Sequence, residues 1–208
     1  CCMINHTGPV FFALRDAAPL KIAADILWKD KDIYPVEVYA NRPMLNIEDE
    51  IDPHWTNANG KVVQYLGMLG LGSMNKIVWA DTGAWGTVVK ALKVGILSNS
   101  DFYPLFWYSH NPYIPGYLNG LLAKSGIEDK FGEIVNDSIE CLFPQQHTRP
   151  LDVVNLGGAW QVPLEISCYL SQQWGQAALL GVQKAAIETF EDGVSESEET
   201  ALLKLQEL

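Results

Sequence analysis

The segment from Lys76 to Leu92 has the residue types and spacing of a ligand-binding turn. A short apolar run, Ile77–Ala80, is followed directly by the carboxylate of Asp81. Asp81 is suited to bind a metal ion or a ribose hydroxyl. A glycine-rich turn before a helix presents backbone N–H groups to an anion such as phosphate. The sequence therefore predicts a site for an anionic ligand in the turn formed by Thr82, Gly83, Ala84, Trp85, Gly86 and Thr87.

The same residues also have a structural interpretation. Asp81 is suited to cap the following helix, because its side chain accepts hydrogen bonds from backbone N–H groups. Gly83 and Gly86 are suited to a tight turn as well as to the close approach of a ligand. The Thr87 hydroxyl fits a phosphate contact or an ordinary helix start.

Polar side chains also follow three other predicted strands. They are Arg15 and Asp16, then Asn41 and Arg42, then Ser109, His110 and Asn111. Arg15 and Arg42 suit bidentate recognition of phosphate, and His110 suits general acid–base catalysis. The alternatives are salt bridges that fix loops and a structural histidine. If the strands are parallel and adjacent, all four groups meet at one edge of the sheet, where α/β proteins bind ligands.

Apolar runs that alternate with helical periodicity predict an α/β fold with a mostly parallel sheet flanked by helices. A strand at Gly8–Leu14, a helix beginning near Pro19 and a strand at Tyr34–Ala40 form a βαβ unit, which implies a parallel pair. A helix at Lys61–Leu71 and a strand at Phe102–Tyr108 continue the pattern.

The second half of the chain is predicted to be helical. We expect residues 1–115 to form the phosphate-binding core and residues 116–208 to form a helical extension packed on it. The predicted helices are Leu118–Lys124, Ile127–Phe143 and Leu164–Phe190, and residues 144–163 are predicted to be mostly loop.

Composition restricts the class of partner. The 208-residue chain is 48% hydrophobic and carries a formal net charge of −11, so a sizeable core is expected and nucleic-acid binding is not. The sequence shows no apolar run of transmembrane length, and we expect no membrane partner. The four cysteines lack zinc-ligand spacing and are read as free thiols, which predicts a cytoplasmic location.

The order of these motifs over residues 8–110 resembles type I phosphoribosyltransferases. The resemblance implies that Asp81 faces the ribose and binds Mg²⁺, that Thr82–Thr87 hold the 5′-phosphate, and that Arg15, Asp16 and Arg42 lie by the pyrophosphate. The pattern Arg15-Asp16-Ala17, Asn41-Arg42 and Asp81–Thr87 is also similar to a bacterial region that follows haloacid-dehalogenase-like domains in polysaccharide gene clusters.

Three functions follow as hypotheses. The first is a phosphoribosyltransferase-like domain that binds a phosphorylated sugar or nucleotide, with Mg²⁺ as candidate cofactor and transfer at the anomeric carbon as its reaction. The second is a non-catalytic scaffold, favoured because Ala80 replaces the first of two adjacent acids and Trp85 sits inside the turn. The third is a metal-assisted hydrolase with Asp81 on the metal and His110 as base. A second copy of the chain or an upstream domain of the same protein is the expected macromolecular partner.

Overall fold

Four parallel strands form the centre of the molecule in a computed structural model of the chain. The model describes residues 7–14, 17–42, 44–45, 60–111, 113–114, 116–125, 153–162 and 169–191. The strands are β1 (Gly8–Leu14), β2 (Ile33–Tyr39), β3 (Lys76–Ala84) and β4 (Asp101–Ser109). They lie in the order β2-β1-β3-β4, and every pair is parallel. The predicted α/β class is confirmed.

The two central strands carry continuous apolar runs, Gly8–Leu14 in β1 and Ile77–Ala80 in β3, because both of their faces are covered there. On β1, Phe11 points into the larger of two core clusters, whereas Val10 and Phe12 point into the smaller one on the opposite face. On β3, Trp79 is completely buried in the larger cluster. This alternation follows from the two-residue period of a strand.

Helices cover the two faces of the sheet. Helix α1 (Ala18–Leu27) begins with a proline in its first turn, where the missing N–H costs nothing, and packs over the smaller cluster. Helix α2 (Gly60–Met68) contributes to the larger cluster on the other face. The remaining helices are α3 (Thr87–Ala91), which continues as a π-helical turn over Leu92–Ile96, α4 (Tyr117–Ser125) beside β4, and α5 (Tyr169–Glu191), which packs against α1.

One local prediction is wrong. The turn predicted to begin at Thr82 begins later, because Thr82, Gly83 and Ala84 continue β3, and Gly83 and Ala84 pair with β4. The segment 144–163, predicted to be mostly loop, also contains a short hairpin of β5 (Val154–Leu156) and β6 (Ala159–Gln161), whose Trp160 packs against the larger cluster. The predicted helix at Ile127–Phe143 lies outside the described residues, and the division into a core and a helical extension stays a prediction.

None of the described helices is long and apolar enough to cross a membrane.

Tyr65 links α2 to the end of β2. Its phenol oxygen accepts a 3.1 Å hydrogen bond from the backbone N–H of Tyr39. Burial raises the pKa of Tyr65 to about 12, although the hydrogen bond from Tyr39 acts in the opposite direction. The folded chain therefore favours the neutral phenol over the phenolate.

Because Tyr65 is buried, the stability of the folded chain is expected to decrease at alkaline pH. Because the pKa of Tyr65 is higher in the folded than in the unfolded chain, its contribution is complete below about pH 10 and is lost as the pH rises through about 12. Between pH 9 and 11 we expect the free energy of unfolding to fall by about 1 kcal/mol more in the native chain than in Tyr65→Phe. Urea unfolding at both pH values measures this difference, and parallel pH profiles of the two proteins would contradict it.

Candidate functional site

The direction of chain progression reverses between β1 and β3. From β1 the chain crosses to β2 on one side, and from β3 it crosses to β4 on the other. Strands that part in this way leave a crevice beyond their carboxyl ends, which is the usual ligand site of open α/β sheets. The strand order therefore marks the carboxyl edge between β1 and β3 as the first place to look for a site.

Asp81 lies where the pairing of β1 with β3 has ended. The two strands pair from Val10↔Val78 to Phe12↔Ala80, and Asp81 is the next residue along β3. On its other side Asp81 still pairs with Phe106 of β4. Asp81 is partly buried and makes at least one polar or electrostatic interaction within the protein. Asp81 therefore lies beside the region that the switch in strand order creates.

Asn41 and Arg42 follow β2 at the same edge of the sheet. The Asn41 side-chain oxygen accepts a 2.9 Å hydrogen bond from the backbone N–H of Met44, and this fixes the turn that carries Arg42. The Arg42 side chain is exposed and makes no ion pair with a described residue. Lys21 differs, because its ammonium group lies 2.7 Å from Asp25 and 3.2 Å from Glu37.

The turn between β3 and α3 consists of Trp85 and Gly86. Gly86 adopts a left-handed backbone conformation with φ of +68°, and its carbonyl accepts the hydrogen bond from Lys90 N–H that begins α3. Thr82 is buried within the strand, and Thr87 is partly buried at the helix start. These residues belong to the end of β3, the short turn and the start of α3. Phosphate contacts stay a prediction for Thr82, Gly83, Trp85, Gly86 and Thr87.

His110 stacks on Trp85 at the ends of β3 and β4. The two ring centroids are 5.1 Å apart, and the ring planes differ by 21°. His110 also contacts the buried Tyr108 ring, edge to face, at 4.9 Å. Trp85 is 63% exposed, so the indole points outward instead of filling the crevice.

A group of hydrogen bonds fixes the loop that carries His110. The Asn119 side chain accepts from Ser109 N–H at 2.7 Å and donates to Ser109 C=O at 2.8 Å, as a neighbouring strand would. The Asn111 side chain accepts from Tyr113 N–H at 3.0 Å and donates to the carbonyl oxygen of Trp85 at 3.4 Å. The loop therefore joins the ends of β3 and β4 into one structure.

Sequence reasoning missed Asn119 and the close packing that it needs. Gly116 approaches the backbone of Ser109 so closely that a Cβ atom there would lie 2.7 Å from the Ser109 nitrogen. The sequence carries no local signal for this contact, because an Asn inside a predicted helix has no periodic pattern that sets it apart.

The register of β3 and β4 separates Asp81 from His110. Asp81 pairs with Phe106, and the chain runs from Phe106 to Ser109 before it reaches His110. Three residues of strand extend about 10 Å, so the two side chains start at clearly different levels of the sheet. The geometry groups His110 with Trp85, and Asp81 with the crevice.

The described residues contain no group of three His, Cys, Asp or Glu side chains that is placed to hold a metal ion. A single carboxylate such as Asp81 fits Mg²⁺ only when a ligand phosphate and water supply the other oxygens, which is a common arrangement for this ion. Arg15 and Asp16, predicted to lie by a pyrophosphate, fall outside the described residues.

No family model matches this chain, and no curated protein is significantly similar to it. The likeness to phosphoribosyltransferases stays a prediction that rests on the motifs at residues 41–42 and 81–87.

Proposed function

We propose that the carboxyl edge of the sheet between β1 and β3 binds a phosphorylated sugar or nucleotide. The observation that carries the proposal is the reversal of strand order at β1 and β3, with Asp81 as the first β3 residue beyond the β1 pairing. A carboxylate at such a crevice is suited to accept hydrogen bonds from sugar hydroxyls, because hydrogen bonds to charged groups are stronger than those between neutral groups.

Arg42 supplies the positive charge that a phosphate needs. It lies at the same edge, after β2, and its guanidinium group is exposed and makes no ion pair with a described side chain. A guanidinium group binds two phosphate oxygens at once. The formal charge of −11 does not oppose this contact, because a small ligand needs only a local cation.

The reaction class that fits is transfer at the anomeric carbon. The bond from that carbon to pyrophosphate breaks, the pyrophosphate leaves with the electron pair, and the acceptor forms the new bond. Positive charge develops on the sugar ring, and in this proposal the Asp81 carboxylate stabilises it. Mg²⁺, if held by Asp81 together with phosphate oxygens and water, would neutralise charge on the leaving pyrophosphate.

A calorimetric titration with phosphoribosyl pyrophosphate, with and without Mg²⁺, tests the proposal. We expect saturable binding that Asp81→Asn weakens by about tenfold or more, because a hydrogen bond to a charged group contributes about 1.5–3 kcal/mol. Asp101→Asn is the matched control: it makes the same charge change on an exposed residue at the opposite end of β4. Lack of binding at millimolar ligand, or an equal loss in both variants, would overturn the proposal.

An interaction domain is the second candidate. On α5, the side chains of Leu180, Ile187 and Phe190 are exposed by 64%, 39% and 42%, and their spacing puts them on one face of the helix. A second copy of the chain or another domain of the same protein is the partner that we propose for this face, with the cytoplasm as its location. Failure of the titration above would make this the better candidate.

No observation favours the metal-assisted hydrolase. A general base must lie within hydrogen-bond reach of the proton that it removes, directly or through one water. The strand register places His110 beyond Ser109, three residues past the level of Asp81.

A further inference from the structure

The two outer strands of the sheet, β2 and β4, each have one side that pairs with no other described strand. Such an edge presents a row of backbone N–H and C=O groups to which a strand of a second copy can pair. Both outer strands contain a proline, Pro35 in β2 and Pro104 in β4. A proline hinders the addition of a strand only where its missing N–H lies on the outer side, so the direction of the N–H groups decides what these prolines do.

The hydrogen bonds between β1 and β2 show which N–H groups of β2 point outward. Gly8 N–H donates a 2.7 Å hydrogen bond to the Asp32 carbonyl oxygen, and Gly8 lies opposite Ile33. In a parallel pair, the residue opposite such a donor turns its own N–H away from the partner strand. The direction alternates along a strand, so residues 33, 35, 37 and 39 turn their backbone N–H positions outward. Pro35 therefore lies on the outer side of β2.

Tyr65 confirms this direction and occupies a second outward position. The N–H of Tyr39 points away from β1 and donates to the phenol oxygen of Tyr65 in α2, at 3.1 Å. Pro35 has no N–H, and the N–H of Tyr39 is already bonded, so two of the four outward positions cannot donate to an incoming strand. The other two are Ile33 and Glu37, and Pro35 lies between them.

The outer side of β4 is identified in the same way. Asp101 N–H donates a 2.7 Å hydrogen bond to the Asn75 carbonyl oxygen, so Asp101 turns its N–H toward β3. The alternation then places Phe102, Pro104 and Phe106 on the outer side. Pro104 supplies no N–H there, and each edge of the sheet is therefore interrupted by a proline.

The segment that follows β4 covers the rest of that edge. Phe106 pairs with Gly116 in a single parallel bridge. At the end of the strand, the Asn119 side chain bonds to both the N–H and the carbonyl oxygen of Ser109. An incoming strand needs donors at successive outward positions, and the blocked positions leave no such pair on β2 or over the outward positions of β4 from Phe102 to Phe106.

We infer that Pro35, Pro104 and Tyr65 close both edges of the sheet to a strand from a second copy of this chain. The inference goes beyond the proposed ligand site and does not depend on it. It restricts how two copies can associate, because contact through a continuous sheet requires the donors that these residues remove. Association of two copies then uses a helical surface, such as the exposed face of α5.

Sedimentation velocity over a range of protein concentrations tests the inference with Pro35→Val. Valine restores the N–H and creates three successive outward donors, at residues 33, 35 and 37. Two identical edges that pair about a two-fold axis gain two hydrogen bonds, so we expect the association constant to rise about 5- to 150-fold above that of the native chain. Adding Tyr65→Phe releases the N–H of Tyr39 as a fourth donor and should raise the constant further.

Tyr34→Val is the matched control, because it places the same side chain at an exposed neighbour whose N–H already turns toward β1. It should leave the association constant unchanged. Hydrogen exchange locates the contact, and in the associated Pro35→Val chain we expect the amides of residues 33–37 to become protected. Equal association of Pro35→Val and Tyr34→Val, or protection confined to α5, would overturn the inference.

Pro104→Val provides an independent test on the other edge, which also covers the case in which Pro35→Val does not fold. It adds one donor beside Phe102, while Phe106 stays paired with Gly116. The increase in association should therefore be smaller than for Pro35→Val. If the folded proline variants associate no more strongly than the native chain, the prolines do not close the edges.

Discussion

Replacing Gly116 by alanine is expected to lower the free energy of unfolding by about 3–5 kcal/mol. The new Cβ atom would lie 2.7 Å from the Ser109 nitrogen and 2.9 Å from the Tyr108 carbonyl carbon, and it would overlap the side-chain oxygen of Asn119. Two of these neighbours are backbone atoms of β4, which cannot move without disturbing the sheet. Overpacking of about 1–3 kcal/mol is therefore joined by the loss of the two Asn119 hydrogen bonds, each about 0.5–1.5 kcal/mol.

Gly120→Ala is the control for this substitution. Gly116 directly precedes α4, and Gly120 lies within that helix with nothing within 4 Å of an added Cβ atom. Alanine there should stabilise the chain by up to about 1 kcal/mol, since it is the better helix former. Urea unfolding of the two variants measures the difference, and equal stability would show that the contact between Gly116 and Ser109 is not tight in solution.

Gly86→Ala is expected to lower the free energy of unfolding by about 2–4 kcal/mol, for two separate reasons. Its φ of +68° is a conformation that costs a residue with a Cβ atom about 1–2 kcal/mol. The added atom would also lie 2.6 Å from Ile114 Cδ1 and 3.1 Å from Phe106 Cε2. Because Ile114 can shift its terminal methyl group, the steric part should be smaller than at Gly116.

Gly157→Ala separates the cost of the left-handed backbone conformation from the cost of steric overlap. Gly157 has nearly the same φ, +63°, in the turn between β5 and β6, and nothing lies within 4 Å of an added Cβ atom. The free energy of unfolding of Gly157→Ala should fall only by the cost of the backbone conformation, about 1–2 kcal/mol. A thermal or urea unfolding comparison that finds Gly86→Ala no worse than Gly157→Ala would contradict the packing of Ile114 and Phe106 against the turn.

The central sheet was predictable because its signal is local. Gly8–Leu14 and Ile77–Ala80 are continuous apolar runs, as expected for parallel strands covered on both faces, and Pro19 marks the start of α1. The convergence of polar groups at one edge then follows from parallel pairing alone. The positions of Asp81 and Arg42 at that edge needed no knowledge of side-chain packing.

The ends of elements were not predictable, because partners distant in sequence decide them. Gly83 and Ala84 favour a turn by composition, but Tyr108 and Ser109 of β4 pair with them and extend the strand. The β5–β6 hairpin has strands of three residues, too short for an alternating pattern to be read. The Gly157-Gly158 pair between the two strands is the one hairpin signal in this segment of the sequence.

The candidate site also has residues that the sequence predicts and contacts that it does not predict. Asp81 and Arg42 follow apolar runs and are found from the sequence. The stack of Trp85 on His110, and the Asn119 clamp on Ser109, join residues of different elements, so no local pattern shows them. The resemblance makes Trp85 a departure inside a phosphate-binding turn, whereas in the structure Trp85 is 63% exposed and stacks on His110.

The position of β1 between β2 and β3 has a kinetic consequence. β1 pairs on one side with β2, which follows it closely, and on the other with β3, whose Val78 is far along the chain from Val10. During synthesis we expect the βαβ unit to form first, and the apolar edge of β1 then stays unpaired until β3 has been synthesised. An unpaired strand edge recruits other chains. Slow closure of a distant pair prolongs that exposure, so the central strand of the finished sheet is the region most prone to aggregation while the sheet assembles.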